Sequence, residues 1–195
     1  MRKETTAHSE QENSGLSLVD KEHAQQEVAY VGIDNGVSGS IGIVSTSDAV
    51  MLLMPTRKEL SYTKAKRNIT RIDWRVLRSV LDVNLHLGSR PRRPIRVFLE
   101  RPMVNPTRFV ATSSALRALE ATLIILEANH LSVQYVDSKQ WQKVMLPSGL
   151  KGSDQLKKAS HDIGCRMFPS LAILIGRHGD ADGLLMAEWA RRERL

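Results

Sequence analysis

The stretch Val28-Ala29-Tyr30-Val31-Gly32-Ile33-Asp34-Asn35-Gly36 decides how the chain folds. From Val28 to Ile33 it is apolar without interruption, the pattern of a strand buried on both faces. Asp34-Asn35-Gly36 is a turn signal, and Gly39-Ser40-Ile41-Gly42-Ile43-Val44 restarts an apolar run, so the segment predicts a β-hairpin. A third strand is expected from Val50 to Met54. Residues 56–70 are polar and basic without a clear period, and from Ile72 the positions Leu77, Val80 and Leu81 follow helical spacing. Arg90-Pro91-Arg92-Arg93-Pro94 ends that helix, and Ile95-Arg96-Val97-Phe98-Leu99 reads as a strand closing on Glu100 before Pro102. A helix over roughly 112–129, capped by Thr112, Ser113 or Ser114, precedes a strand at Val133–Val136. Helices near 138–146, 153–167 and 181–193 complete the order. Strands first, then strand and helix in alternation, predict an α/β fold with a mixed central sheet flanked by helices.

The chain has 195 residues, the size of one ordinary domain, and its 28 Lys and Arg exceed 21 Asp and Glu for a net charge of +7. Residues 1–26 hold Arg2, Lys3 and Lys21 against Glu4, Glu10, Glu12, Asp20 and Glu22. Residues 27–195 therefore carry 25 basic against 16 acidic side chains, or +9. That surplus suits a polyanionic partner. Between Met1 and Leu16 no large apolar residue occurs, so residues 1–26 are expected to form a disordered tail and 27–195 the folded domain. The single cysteine, Cys165, excludes an internal disulfide and a Cys-rich zinc site. No uninterrupted apolar run approaches bilayer length and no signal-peptide core opens the chain, so a cytoplasmic protein with no membrane partner is the expectation.

Three acids stand at element ends. Asp34 closes the most apolar strand, Glu100 closes another, and Asp182 opens the helix that continues Leu184-Leu185-Met186-Ala187. Singly, each has an ordinary explanation: an Asx-turn for Asp34, a pair with Arg101 or Arg96 for Glu100, a helix start for Asp182. Carboxylates at the ends of buried strands are costly without a cation or hydrogen bonds to receive them. Strand ends in open α/β sheets are also where ligands bind. Together the three are better explained by a shared site for a hard divalent cation.

The strings Val31-Gly32-Ile33-Asp34, Phe98-Leu99-Glu100-Arg101-Pro102 and Asp180-Ala181-Asp182-Gly183-Leu184-Leu185, in that order, resemble the RuvC-like Holliday junction resolvases of the RNase H-like nuclease superfamily, including phage and organellar types. The resemblance spans residues 28–195 and implies an RNase H-like fold and a structure-selective endonuclease that hydrolyses phosphodiesters in four-way DNA junctions. It implies two Mg²⁺ or Mn²⁺ ions, with Asp34 bridging them and Glu100 and Asp182 each completing one shell. It also implies a fourth ligand one helical turn before the last acid, and here the sequence departs from the pattern. Gly179 stands three residues before Asp182, His178 four before and Asp180 two before. His178 shares the face of Asp182 if the helix extends that far, whereas Asp180 turns inward if residues 178–180 are loop. A hard cation prefers oxygen, which favours Asp180.

The same resemblance gives the basic residues roles. Arg67 and Arg71, within the cationic run 57–78, and Arg101, Asn105 and Arg108 after Glu100 are suited to contact phosphates. Met103 or Phe109 would supply an apolar wedge that opens the junction. A lysine near the scissile phosphate is implied, which Lys151 fits first and Lys143 second. Trp141 and Trp189, among apolar neighbours, read as core. The apolar helix after Ser114 is suited to burial or to a homodimer contact, and a two-fold dimer matches the symmetry of a four-way junction. Two other classes share features of the sequence. Gly32-Ile33-Asp34-Asn35-Gly36 also opens ATPases and phosphotransferases of the actin and sugar-kinase kind, which are longer and duplicated. A catalytically silent nucleic-acid-binding module on the same fold would need no complete ligand set.

Overall fold

The computed structural model describes residues 27–62, 64, 66–88 and 93–195. The expected tail over residues 1–26 and most of the Arg90–Pro94 breaker lie outside them. The predicted hairpin is present as β1 (Ala29–Ile33) and β2 (Ser40–Val44), followed by β3 (Ala49–Leu53). With β6 (Ile95–Glu100) and β7 (Val133–Val136) they form one five-stranded sheet in the order β3-β2-β1-β6-β7. β2 is antiparallel to β1 and β3, whereas β6 is parallel to both β1 and β7. The sheet is thus mixed, and helices cover both its faces: the α/β, RNase H-like architecture expected.

Period-two alternation divides the core in two. Ala29, Val31 and Ile33 of β1 and Val97 and Leu99 of β6 face α1 (Trp74–Asn84) and α2 (Phe109–Ala128), packing on Leu77, Leu81, Ala118, Ile125 and Leu126. Phe98 of β6 and Val136 of β7 face the other way. There they meet α3 (Ser138–Met145) through Trp141 and α6 (Asp182–Arg192) through Leu184, Leu185 and Ala187. Trp189 packs edge-on to Phe98, with ring centroids 6.3 Å apart, so both tryptophans expected in the core are there. α4 (Gly152–Met167) and α5 (Ala172–His178) close the α6 side.

Four boundaries depart from the sequence reading. Residues 56–70 are not irregular: β4 (Thr56–Leu60) and β5 (Asn68–Ile72) pair as a separate antiparallel hairpin. Its strands carry charges on both faces, so no hydrophobic alternation announces them. Secondly, α2 starts at Phe109, preceded by a 3₁₀ turn at Pro106–Arg108. Asn105 accepts from the Thr107 N–H at 3.0 Å and Pro106 follows it, an Asn-Pro start that stands upstream of the expected caps. Thr112 instead donates its hydroxyl to the Asn105 carbonyl at 2.9 Å. In the third case α4 starts one residue earlier than expected, at Gly152, with Lys151 in the N-cap position and its N–H donating to Gln155 Oε1 at 2.8 Å. Finally, α5 was not anticipated, and Gly179 ends it in the left-handed region at φ 103°.

By length and composition α2 would pass for a membrane span. In the fold its Ala118, Thr122, Ile125 and Leu126 are buried in the core against the sheet, while Leu116 and Ile124 remain exposed.

Candidate metal centre

Strand parity brings the first two acids together. Gly32 pairs with Phe98 and Ile33 with Leu99, so the next register step sets Asp34 beside Glu100. Both then point to the face covered by α6, whose first residue is Asp182. The helix approaches closely because glycines line its track. A Cβ on Gly32 would lie 2.3 Å from the Gly183 carbonyl oxygen, and one on Gly42 would lie 2.4 Å from the Leu184 nitrogen. No other residue permits that backbone contact. Ser40 fixes the helix start to the sheet: its carbonyl accepts from the Asp34 N–H at 2.9 Å and its hydroxyl oxygen from the Gly183 N–H at 3.3 Å.

Asp34, Asp180 and Asp182 each offer a carboxylate oxygen within 4.8 Å of the others. The helix of Asp182 does not reach His178, because Gly179 turns the chain and delivers Asp180 inward. His178 stands behind, its Nε2 3.3 Å from Asp180 Oδ1. Asp180 also accepts the Asp182 N–H at 3.4 Å, so it serves both the helix start and the acidic group. Glu100 lies outside the three-acid set but shares its field, and Trp141, fully buried, donates Nε1–H to Glu100 Oε2 at 3.2 Å.

The electrostatics follow from what does and does not neutralise these groups. Loss of solvent raises Asp34 well above the ordinary aspartate range, and repulsion from Glu100, Asp182 and Asp180 raises it further. Burial raises Glu100 to about 7 against the Trp141 hydrogen bond, and burial with repulsion from Asp180 raises Asp182 to about 6. Burial also works against ionisation of Asp180, but His178, the Asp182 N–H and Lys157 outweigh it and its carboxyl falls below the ordinary range. Lys157 Nζ lies 3.5 Å from Asp180 Oδ2. Four oxygen-donor acids with one lysine and a histidine between them fit a hard divalent cation, which would supply the missing positive charge.

Of the other expected site residues, Lys151 and Lys143 are exposed and form no ion pair with these acids; Lys157 does. Met103 and Phe109 are 84% and 76% exposed on the connection after Glu100. Arg108 is exposed beside them, while Arg101 pairs with Asp137 at 3.3 Å and lies over the Tyr135 ring. Asn105 is occupied in capping the turn that follows it. Arg67 is exposed near the turn of the basic hairpin; Arg71, on β5 across from Arg57, is held with it by Glu59. That hairpin leaves the sheet at the carboxylate end, since the Met54 N–H bonds the Gly39 carbonyl at 3.0 Å. Sequence reading missed Lys157, Ser160 and the bond from Trp141, whose roles depend on partners 22 to 41 residues away in the chain. No local motif marks them.

No family model matches the chain, and neither does any curated protein. Among solved structures, RuvC of T. thermophilus in complex with a Holliday junction substrate is similar at 16% identity and a TM-score of 0.48, covering 87% of this chain and 94% of that one. A second structure of Thermus thermophilus RuvC is similar at 15% identity and a TM-score of 0.41, covering 86% and 96%.

Proposed function

We propose that this chain is a divalent-metal-dependent endonuclease that resolves four-way DNA junctions by phosphodiester hydrolysis. The observation that carries the reading is the convergence of Asp34, Asp180 and Asp182, with Glu100 beside Asp34, at one end of the sheet of a +9 domain. Asp34, central in the register, would bridge two Mg²⁺ or Mn²⁺ ions; Glu100 and Asp182 would each complete one shell, with Asp180 as the fourth ligand. The bound ions would supply Lewis acidity toward the scissile phosphate. Trp141 and Ser160 orient acids by neutral hydrogen bonds and so leave the negative charge available to the ions. Lys157 Nζ, 3.5 Å from Asp180 Oδ2, would meet the phosphate there, with Lys151 or Lys143 as the further lysine that the resemblance implies.

Met103 and Phe109, exposed in the segment that follows Glu100, suit the apolar wedge, and Arg108, Arg101 and Asn105 in the same segment suit its phosphate contacts. Arg67, with Arg71 behind its ion pair, extends the basic surface from the other flank. A symmetric dimer would place two such sites on a junction. The exposed face of α2 supports it, with Leu116 outside and a groove of about 520 Å³ lined by Trp74, Ala121, Ile124 and Ala128.

The test incubates the protein with a synthetic four-way junction and with linear duplex, in Mg²⁺ and in chelator, using Asp34→Asn as control. Paired nicks in the junction alone, requiring the metal and lost in the variant, are the expected result. Equal cutting of both substrates removes junction selectivity. Unchanged cutting by Asp34→Asn removes the site, and junction binding without cutting in any metal identifies a silent binding module.

A further inference from the structure

Ser160 lies in the middle of α4 and is fully buried. A serine inside a helix commonly returns its hydroxyl to the carbonyl one turn back. This one is turned outward to another part of the chain. Its Oγ accepts the Ala181 N–H at 3.0 Å and is also in hydrogen-bond contact with Asp182 Oδ1. A hydroxyl has one proton, and Ala181 is already a donor to it, so that proton goes to the aspartate. Ser160 therefore tells apart the two oxygens of Asp182: Oδ1 is held, and Oδ2 has no donor among the described residues.

Ser160 is part of a stripe. Lys157, Ser160 and Gly164 recur at helical spacing on one face of α4, and each meets the segment 180–182. Lys157 reaches Asp180, Ser160 bridges Ala181 and Asp182, and Gly164 lies under Ala181, where a Cβ would come within 2.3 Å of the Ala181 Cβ. One helix face is thus shaped against the turn that carries two of the acids, with a cation, a neutral donor and a gap in register.

We infer that Ser160 is a positioning residue which fixes the Asp182 carboxylate so that Oδ2 faces the divalent cation, and that α4 thereby templates the acidic pair; this rests on the metal-centre reading above. A neutral donor suits the task, because it orients the carboxylate without competing with the cation for its charge. Hydrogen-bond partners of metal-ligating carboxylates change metal affinity about 10- to 100-fold when removed.

The experiment titrates Mn²⁺ alone into the full chain by calorimetry, for the wild type and for Ser160→Ala. Affinity is expected to fall about 10-fold in the variant. KM for junction DNA should stay unchanged, and kcat should fall but recover as Mn²⁺ is raised. Ser160→Thr and Ser160→Val, equal in size and differing by the hydroxyl, repeat the comparison with packing matched, and Thr should bind Mn²⁺ about 10-fold tighter than Val. Equal affinities in that pair, or wild-type affinity in Ser160→Ala, overturn the positioning role and leave the metal centre standing. A wild type that binds no Mn²⁺ overturns the metal centre and this inference with it.

Discussion

Helix α6 carries one acid at its first residue and another six residues on, and their surroundings differ in sign. Glu188 is 4% exposed, yet Arg191 grips it through Nε and Nη2 at 2.7 and 2.9 Å and Arg192 adds Nε at 2.7 Å. Burial opposes its ionisation, but the two guanidinium groups prevail and its carboxyl lies below the ordinary glutamate range. Asp182 has a serine hydroxyl instead, and burial with repulsion from Asp180 raises it to about 6. The same buried helix thus holds one acid whose charge is met within the fold and one whose charge is left over. The first pattern is that of a structural ion pair. The second is costly unless a cation or further hydrogen bonds meet the charge, which is what a candidate cation site requires.

Substituting the central acid should break the contrast most sharply. Asp34→Asn is expected to lower junction cleavage by about 1,000-fold or more, because it would remove the ligand proposed to bridge the two ions. In chelator the same variant should melt at a higher temperature than the wild type, since it relieves repulsion among Asp34, Glu100 and Asp182. An Asn variant that melts lower in chelator would mean that the acids are compensated after all.

The next effect is in pH. Asp182 and Glu100 titrate at about 6 and about 7 when folded, against ordinary values of 3.8 and 4.5, so the folded chain holds protons that the unfolded chain has released. Their effect on stability is therefore most favourable below about pH 4 and is lost as the pH rises through 7. Glu188 acts oppositely: its stabilisation is present above its ordinary range and disappears as the pH falls through its lowered value. In chelator the melting temperature should fall by roughly 5 °C between pH 5 and pH 8. Mg²⁺ should restore it at pH 8, and Asp182→Asn should flatten the slope. A flat wild-type profile would contradict the unmet charge.

Glu188→Gln probes the other end of the helix. Two arginines would lose their common partner, but both reach solvent, so the loss of stability should be about 1–2 kcal/mol by urea unfolding. Cleavage should stay within about twofold of wild type once the protein is folded. A large activity loss at unchanged stability would show that the two ends of α6 are coupled.

What the sequence showed and what it hid divide along a physical line. Asp34, Glu100 and Asp182 were legible because each ends or starts an apolar element, and strand parity alone puts the first two on one face. Asp180 was legible as an alternative; the left-handed turn at Gly179 that delivers it is local, but its direction is not. The β4–β5 hairpin was hidden because charged residues on both faces erase the alternation. Ser160 and Lys157 were hidden because nothing in α4 itself distinguishes them from a solvated helix face. Only the docking of α4 on the 180–182 turn gives them their partners. Trp141 was read as core, which it is, and its indole N–H carries a second role that composition does not express.

That second role gives the smallest expected change in stability. Trp141→Phe keeps an aromatic ring in the buried position but removes the indole N–H that donates to Glu100 Oε2. The hydrogen bond favours the ionised carboxylate and opposes the rise caused by burial, so without it Glu100 should titrate above its present value of about 7. Cleavage at neutral pH should then fall about 10-fold, with its acid limb moved to higher pH and much of the rate regained in alkaline buffer. Packing lost with the larger ring would lower stability, on the order of 1 kcal/mol, without moving that limb. A variant with reduced kcat and an unshifted limb would assign Trp141 to the core alone.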